Sequence, residues 1–182
     1  MTDRRFARIR RGPIPPGIGS VEAPDNGMCL SAFLVIEPPH RDGWVLLGKL
    51  NTKAPWWEIG ALDPDRLASL GQLWMLPSSQ LMLFESPDEA ARRVLREQLD
   101  THGLELRGPQ VFSDPSPRPG GPGVDPHWDM HFVYRGRWKS DQPPKASPWT
   151  SLEFVEVARL ARGEIARFQG DVLELIGIRP RD

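Results

Sequence analysis

The stretch from Ser86 to Leu99 constrains this chain most, because it spells out the start of a helix twice. Ser86 and Glu89 stand in capping-box spacing, and Pro87 occupies the first helical position, where a missing N–H costs nothing. Ala90, Ala91, Val94, Leu95 and Leu99 then mark one stripe of a 3.6-residue period. Glu89, Arg93, Glu97 and Asp100 follow at steps of three or four along the polar side. The pattern predicts one helix from residue 86 to about 101, entered from an irregular loop over 77–85. A junction of this kind, with stacked carboxylates and an arginine, can hold a divalent cation against a phosphate. The same residues also suit a solvated face laced by i,i+4 ion pairs.

Composition narrows the class. At 182 residues the chain suits one domain, which we expect over 28–178 after an arm at 1–27. A net charge of −1 argues against a nucleic-acid coat. No apolar run reaches membrane-spanning length, so no membrane partner is expected. The single cysteine, Cys29, excludes an internal disulfide and fits a cytoplasmic setting. Twenty prolines and seventeen glycines fall mostly in connections, which predicts long ordered loops. Arg4, Arg5, Arg8, Arg10 and Arg11 crowd the arm, which reads as at most a short edge strand, with homodimer exchange or phosphate contact as its candidate roles.

The remaining elements follow from punctuation and period. Met28 to Ile36 is a near-continuous apolar run, consistent with a buried central strand, and Trp44 to Lys49 reads as its hairpin partner. Asp63-Pro64 predicts a short helix to Leu70, ended by Gly71. Trp56-Trp57 lies in a loop beside it, where Trp57 could stack on a base or sugar, or pack in a satellite cluster. Leu104 to Phe112 should return as a strand, followed by a Pro/Gly loop over 114–126. From His127 to Trp138 a half-buried strand puts His127, Asp129 and His131 on one face, suited to a metal or general base, or simply to solvent. Helices are expected over about 150–176, the first capped by Thr150 or Ser151 and running to about Arg162.

The segment from Trp74 to Asp100 also resembles the Nudix box, G-x5-E-x7-R-E-U-x-E-E-x-G-U with U aliphatic, and its W-x-x-P-G-G lead-in. Trp74 and Pro77 match the lead-in, and Glu85, Arg93, Leu95 and Glu97 match the box. Ser78 and Ser79 replace the glycine pair, Val94 and Gln98 replace two glutamates, and Asp100 replaces the closing glycine. A register one turn later aligns Arg96-Glu97, Asp100, Gly103 and Leu104 instead, but loses the capping box and the Pro77 turn. Leu46-Leu47-Gly48-Lys49 and His131-Phe132-Val133-Tyr134 are similar to GDP-mannose mannosyl hydrolases of that superfamily. The resemblance covers roughly residues 29–168, with an insertion at about 51–73.

The resemblance implies an α/β fold, a Nudix-like α/β/α sandwich with a mixed β-sheet. It implies a hydrolase that cleaves a nucleoside diphosphate linked to another moiety, such as a nucleotide sugar, with Mg2+ or Mn2+ and activity weakened by the substitutions. A Nudix-fold ligand-binding or regulatory module without hydrolysis is the alternative. On this reading Arg93, Glu97 and His131 are catalytic, and Glu97, Glu85 and Asp100 hold metal. Lys49, Trp57, Ser79 and His127 contact substrate. Gln98→Glu should then restore a metal charge at small packing cost.

Overall fold

The computed structural model describes residues 8–9, 28–114, 128–166 and 169–181. Its elements in chain order are β1 (Arg8–Ile9), β2 (Met28–Glu37), β3 (Trp44–Leu50), α1 (Trp56–Gly60), α2 (Pro64–Leu70), β4 (Ser78–Gln80), α3 (Pro87–Leu99), β5 (Leu106–Asp114), β6 (Trp128–Arg137), β7 (Trp149–Glu156) and α4 (Gln169–Leu175). Two 3-10 turns, Val157–Arg159 and Arg162–Glu164, precede α4.

The run Ala32 to Ile36 is buried without a break because both faces of β2 are covered. Leu34 and Ile36 meet Ala91, Val94, Leu95 and Leu99 of α3. Phe33 and Val35 meet Val172 and Leu173 of α4. The strand therefore lies in the middle layer of an α/β/α sandwich, as continuous apolar strands do. Strands follow the order β1-β2-β6-β5, with β4 also paired to β2. The β2–β6 pair is parallel and the β1–β2, β2–β4 and β5–β6 pairs are antiparallel, so the sheet is mixed. β6 is buried on both sides rather than half-buried, with Val133 and Tyr134 on opposite faces.

Helix α3 starts as expected. The Ser86 hydroxyl accepts from the Glu89 N–H at 3.3 Å, and the Glu89 carboxylate accepts from the Ser86 N–H at 2.8 Å. The latter bond is the main cause holding the Glu89 carboxyl below its usual range. Its C-terminus comes earlier than expected, because Asp100 adopts a left-handed conformation at φ 49 and closes the helix after Leu99. Helix α2 is also as read, with Asp63 accepting from the Arg66 N–H at 2.8 Å.

Four expectations are corrected. β2 and β3 form no hairpin: β3 pairs with β7 in a separate two-stranded sheet. The stretch after Pro77 is not wholly irregular, since Ser78–Gln80 adds β4 to β2. Trp56-Trp57 opens α1 instead of lying in a loop; Trp56 is buried and donates its indole N–H to Asn51. Residues 149–156 are strand β7 rather than helix, because the apolar edge of β3 needs a partner and Phe154 sits opposite Leu46. Gly48 of β3 is required there by space: a Cβ would fall 2.2 Å from the Trp149 ring. Most of the Pro/Gly loop at 114–126 lies outside the described residues, as does the arm apart from Arg8–Ile9.

Candidate functional site

The loop entering α3 is organised by one buried cation. Arg93, 2 % exposed, donates to both oxygens of Glu85 at 2.7 and 2.8 Å. It also donates to the Ser79 hydroxyl at 3.1 Å and the Gln80 carbonyl at 2.9 Å. Glu85 accepts a further bond from the Met82 N–H at 2.8 Å. The fork geometry of a guanidinium suits this bidentate pairing, and full satisfaction offsets the cost of burying both charges. Arg93 therefore brings Glu85 and Ser79 together, and it faces Glu97 at 3.9 Å. The turn this creates carries Phe84 at φ 65 and 97 % exposed, next to the exposed Leu83.

The other box positions are built differently. Val94 is fully buried in the α3 stripe. Gln98 is fully buried too, and its amide is engaged at both ends. Its Oε1 accepts from the Ser78 N–H at 3.1 Å, while Nε2 donates to the carbonyls of Ile59 at 2.9 Å and Ser78 at 2.8 Å. Its own backbone carbonyl accepts the Trp149 indole N–H at 2.7 Å. Gln98 thus joins α1, β4, α3 and β7. The expected small packing cost of Gln98→Glu leaves out these bonds, since a carboxylate cannot donate to those two carbonyls.

A dication site needs several oxygen ligands, at least two of them anionic in most enzymes of this chemistry. Glu85 is committed to Arg93, Asp100 is the exposed residue that ends the helix, and Glu97 is the one box carboxylate whose side chain keeps 21 % exposure. Among the described residues no group of three His, Cys, Asp or Glu side chains is placed to hold a metal ion. Among the described residues, the side chains around α3 do not fit the magnesium or manganese that the resemblance implies.

His131 lies elsewhere, on the mixed sheet. Register places Gln80 of β4, Ser31 of β2 and His131 of β6 in one row, with Cys29 and Asp129 in the next. His131 is 6 % exposed and meets the Phe33 ring edge-on at 5.2 Å. Gln80 is 8 % exposed, and its Oε1 has no hydrogen-bond partner. Such an orphaned buried acceptor calls for an explanation. Gln80 and Ser31 were not singled out from sequence, because nothing in a linear reading reveals that β4 pairs with β2. Lys49 stacks over the Trp74 ring at 4.8 Å, Trp57 is 54 % exposed on α1, and His127 lies outside the described residues.

No family model matches the sequence, and no curated relative matches it. Solved structures do. The MutT NUDIX hydrolase from Burkholderia pseudomallei aligns with a TM-score of 0.53 at 19% identity, covering 81% of this chain and 96% of that one. DR0079 from Deinococcus radiodurans aligns with a TM-score of 0.53 at 20% identity, covering 88% and 86%. A bifunctional NMN adenylyltransferase/ADP ribose pyrophosphatase from Francisella tularensis gives 0.50 at 12% identity, covering 85% of this chain and 42% of that one. The chain has the Nudix fold.

Proposed function

We propose that this chain is a Nudix-fold binding protein that takes a small nucleotide-like molecule without hydrolysing it. The observation that carries the reading is Gln98: where the resemblance puts a metal glutamate, the chain has a fully buried amide bonded at both ends. Coulomb attraction dominates dication binding, so with Gln98 neutral and Glu85 bonded to Arg93, the described box residues supply too little charge for a phosphate-activating centre. The ligand's seat on this reading is the polar row of Ser31, Gln80 and His131. The orphaned Gln80 Oε1 would accept an N–H from a base or an O–H from a sugar. A nucleotide sugar is one occupant to test, in a cytoplasmic setting.

Hydrolysis is the second reading, supported by the fold shared with the Burkholderia pseudomallei MutT NUDIX hydrolase and by the partly exposed Glu97 beside Arg93. The two separate in one experiment. ADP-ribose and GDP-, UDP- and ADP-sugars are incubated with the protein at fixed Mn2+, with product release followed by chromatography and binding by calorimetry. We expect saturable binding of intact ligand, about tenfold weaker in Gln80→Met, and no metal-dependent release. Release that Mn2+ drives and Glu97→Gln abolishes would establish the hydrolase instead.

A further inference from the structure

A second cleft lies at the other end of the sheet. β2 and β6 run parallel with Glu37 opposite Arg137, and both strands end there. A cavity of about 350 Å³ opens outside these carboxyl ends. It is lined by Glu37, Asp42, Arg135, Arg137, Ile178 and Arg179 among others. Ligands of open α/β sheets settle in crevices at the carboxyl ends of parallel strands. Residue parity puts Arg135 and Arg137 on the same face as Val133, the face covered by α4, so the cleft lies across the sheet from α3.

Its chemistry is specific. Arg135 pairs with Glu37 at 2.7 Å, and Arg137 donates to the Pro39 carbonyl at 2.5 Å. Both arginines line the cleft and retain further N–H donors beyond these contacts. Arg179 enters from the tail after α4, so three guanidiniums face two carboxylates and the cleft keeps an excess of one positive charge. Ile176 and Ile178 supply an apolar wall. Gly43 and Gly177, both at positive φ with open space where a Cβ would stand, keep the rim free of side chains.

We propose that this cleft binds a phosphate monoester on a short hydroxylated carbon skeleton. The guanidinium forks of Arg137 and Arg179 take the phosphate, Asp42 accepts a hydroxyl, and the isoleucine wall takes the carbon chain. The volume suits a ligand of that size, at the small end of ligand pockets. The site stands apart from the polar row and does not depend on the nucleotide reading.

The test is an amide NMR titration with ribose 5-phosphate, inorganic phosphate and ribose at matched ionic strength. Ribose 5-phosphate should give saturating shifts at Gly43, Gly177 and Ile178. Phosphate alone should bind more weakly, and ribose should leave these amides unmoved. The double variant Arg137→Gln with Arg179→Gln, at exposed positions, should keep its fold and lose at least about thirtyfold in affinity. Shifts that never saturate, or a double variant that binds as the wild type does, would overturn the site. Equal affinity for phosphate and ribose 5-phosphate would overturn the assigned skeleton.

Discussion

Gln98→Glu separates a structural amide from a lost catalytic carboxylate. The change swaps one NH2 for oxygen and hardly alters volume, yet that NH2 donates to the Ile59 and Ser78 carbonyls in a fully buried setting. Leaving each carbonyl unpaired costs about 1–3 kcal/mol. An ionised carboxylate facing them adds a burial penalty of several kcal/mol unless it takes up a proton. We therefore expect a loss of about 4 kcal/mol or more at pH 8, a large share of a domain's stability. Burial raises the pKa of the introduced carboxyl above the value of about 4.3 it has in the unfolded chain. The folded state then binds the proton more tightly, so the loss is smallest below that unfolded value and grows as pH rises toward the folded one. Protonation also returns one O–H donor, leaving about 2 kcal/mol of loss at pH 5. Urea unfolding of wild type and variant at pH 5 and pH 8 measures the difference directly. A variant as stable as wild type at pH 8, with Mn2+ affinity gained, would refute the reasoning and return position 98 to a metal centre.

Two further outcomes are expected. Phe84→Gly should stabilise the fold by about 0.5–1 kcal/mol, because a left-handed backbone costs a non-glycine residue about 1–2 kcal/mol and glycine's extra entropy returns only part of it. The ring is 97 % exposed, so little burial is lost, and a lower urea midpoint would count against this. Tyr134, the single tyrosine of the chain, donates to Asp88 at 2.5 Å, and burial first and that bond second push its phenol well above 10.0. Its contribution is present below the unfolded value of about 10 and lost as pH rises beyond it, so phenolate absorbance should appear only with alkaline unfolding. Absorbance rising near the ordinary value in folded protein would show the phenol to be exposed.

Local rules were legible where one residue decides. The Ser86–Glu89 box and the Asp63-Pro64 start are satisfied by neighbours three residues away, so sequence alone places α2 and α3. Pairing between distant segments was not. Residues 149–156 carry apolar side chains at Leu152, Phe154 and Val155, spacings that a helix or a strand accommodates, and only β3 decides for the strand. The candidate site shows the same division. Glu85 and Arg93 were recognisable, but sequence could not show that Arg93 consumes the Glu85 carboxylate, nor that Gln98 reaches Ile59 across thirty-nine positions. Nor did it reveal the row of Gln80, Ser31 and His131, which exists only through sheet register.

The Gln98 junction has a consequence for how this chain tolerates change. A catalytic centre keeps like charges close together, and proteins commonly give up stability to maintain that arrangement. Here the same position joins four elements through neutral hydrogen bonds, so the region works as a girder where a charged centre would be a weak point. Substitutions at the exposed Leu83 and Phe84 meet a turn held from beneath by Arg93 and Glu85, free to acquire new surface roles.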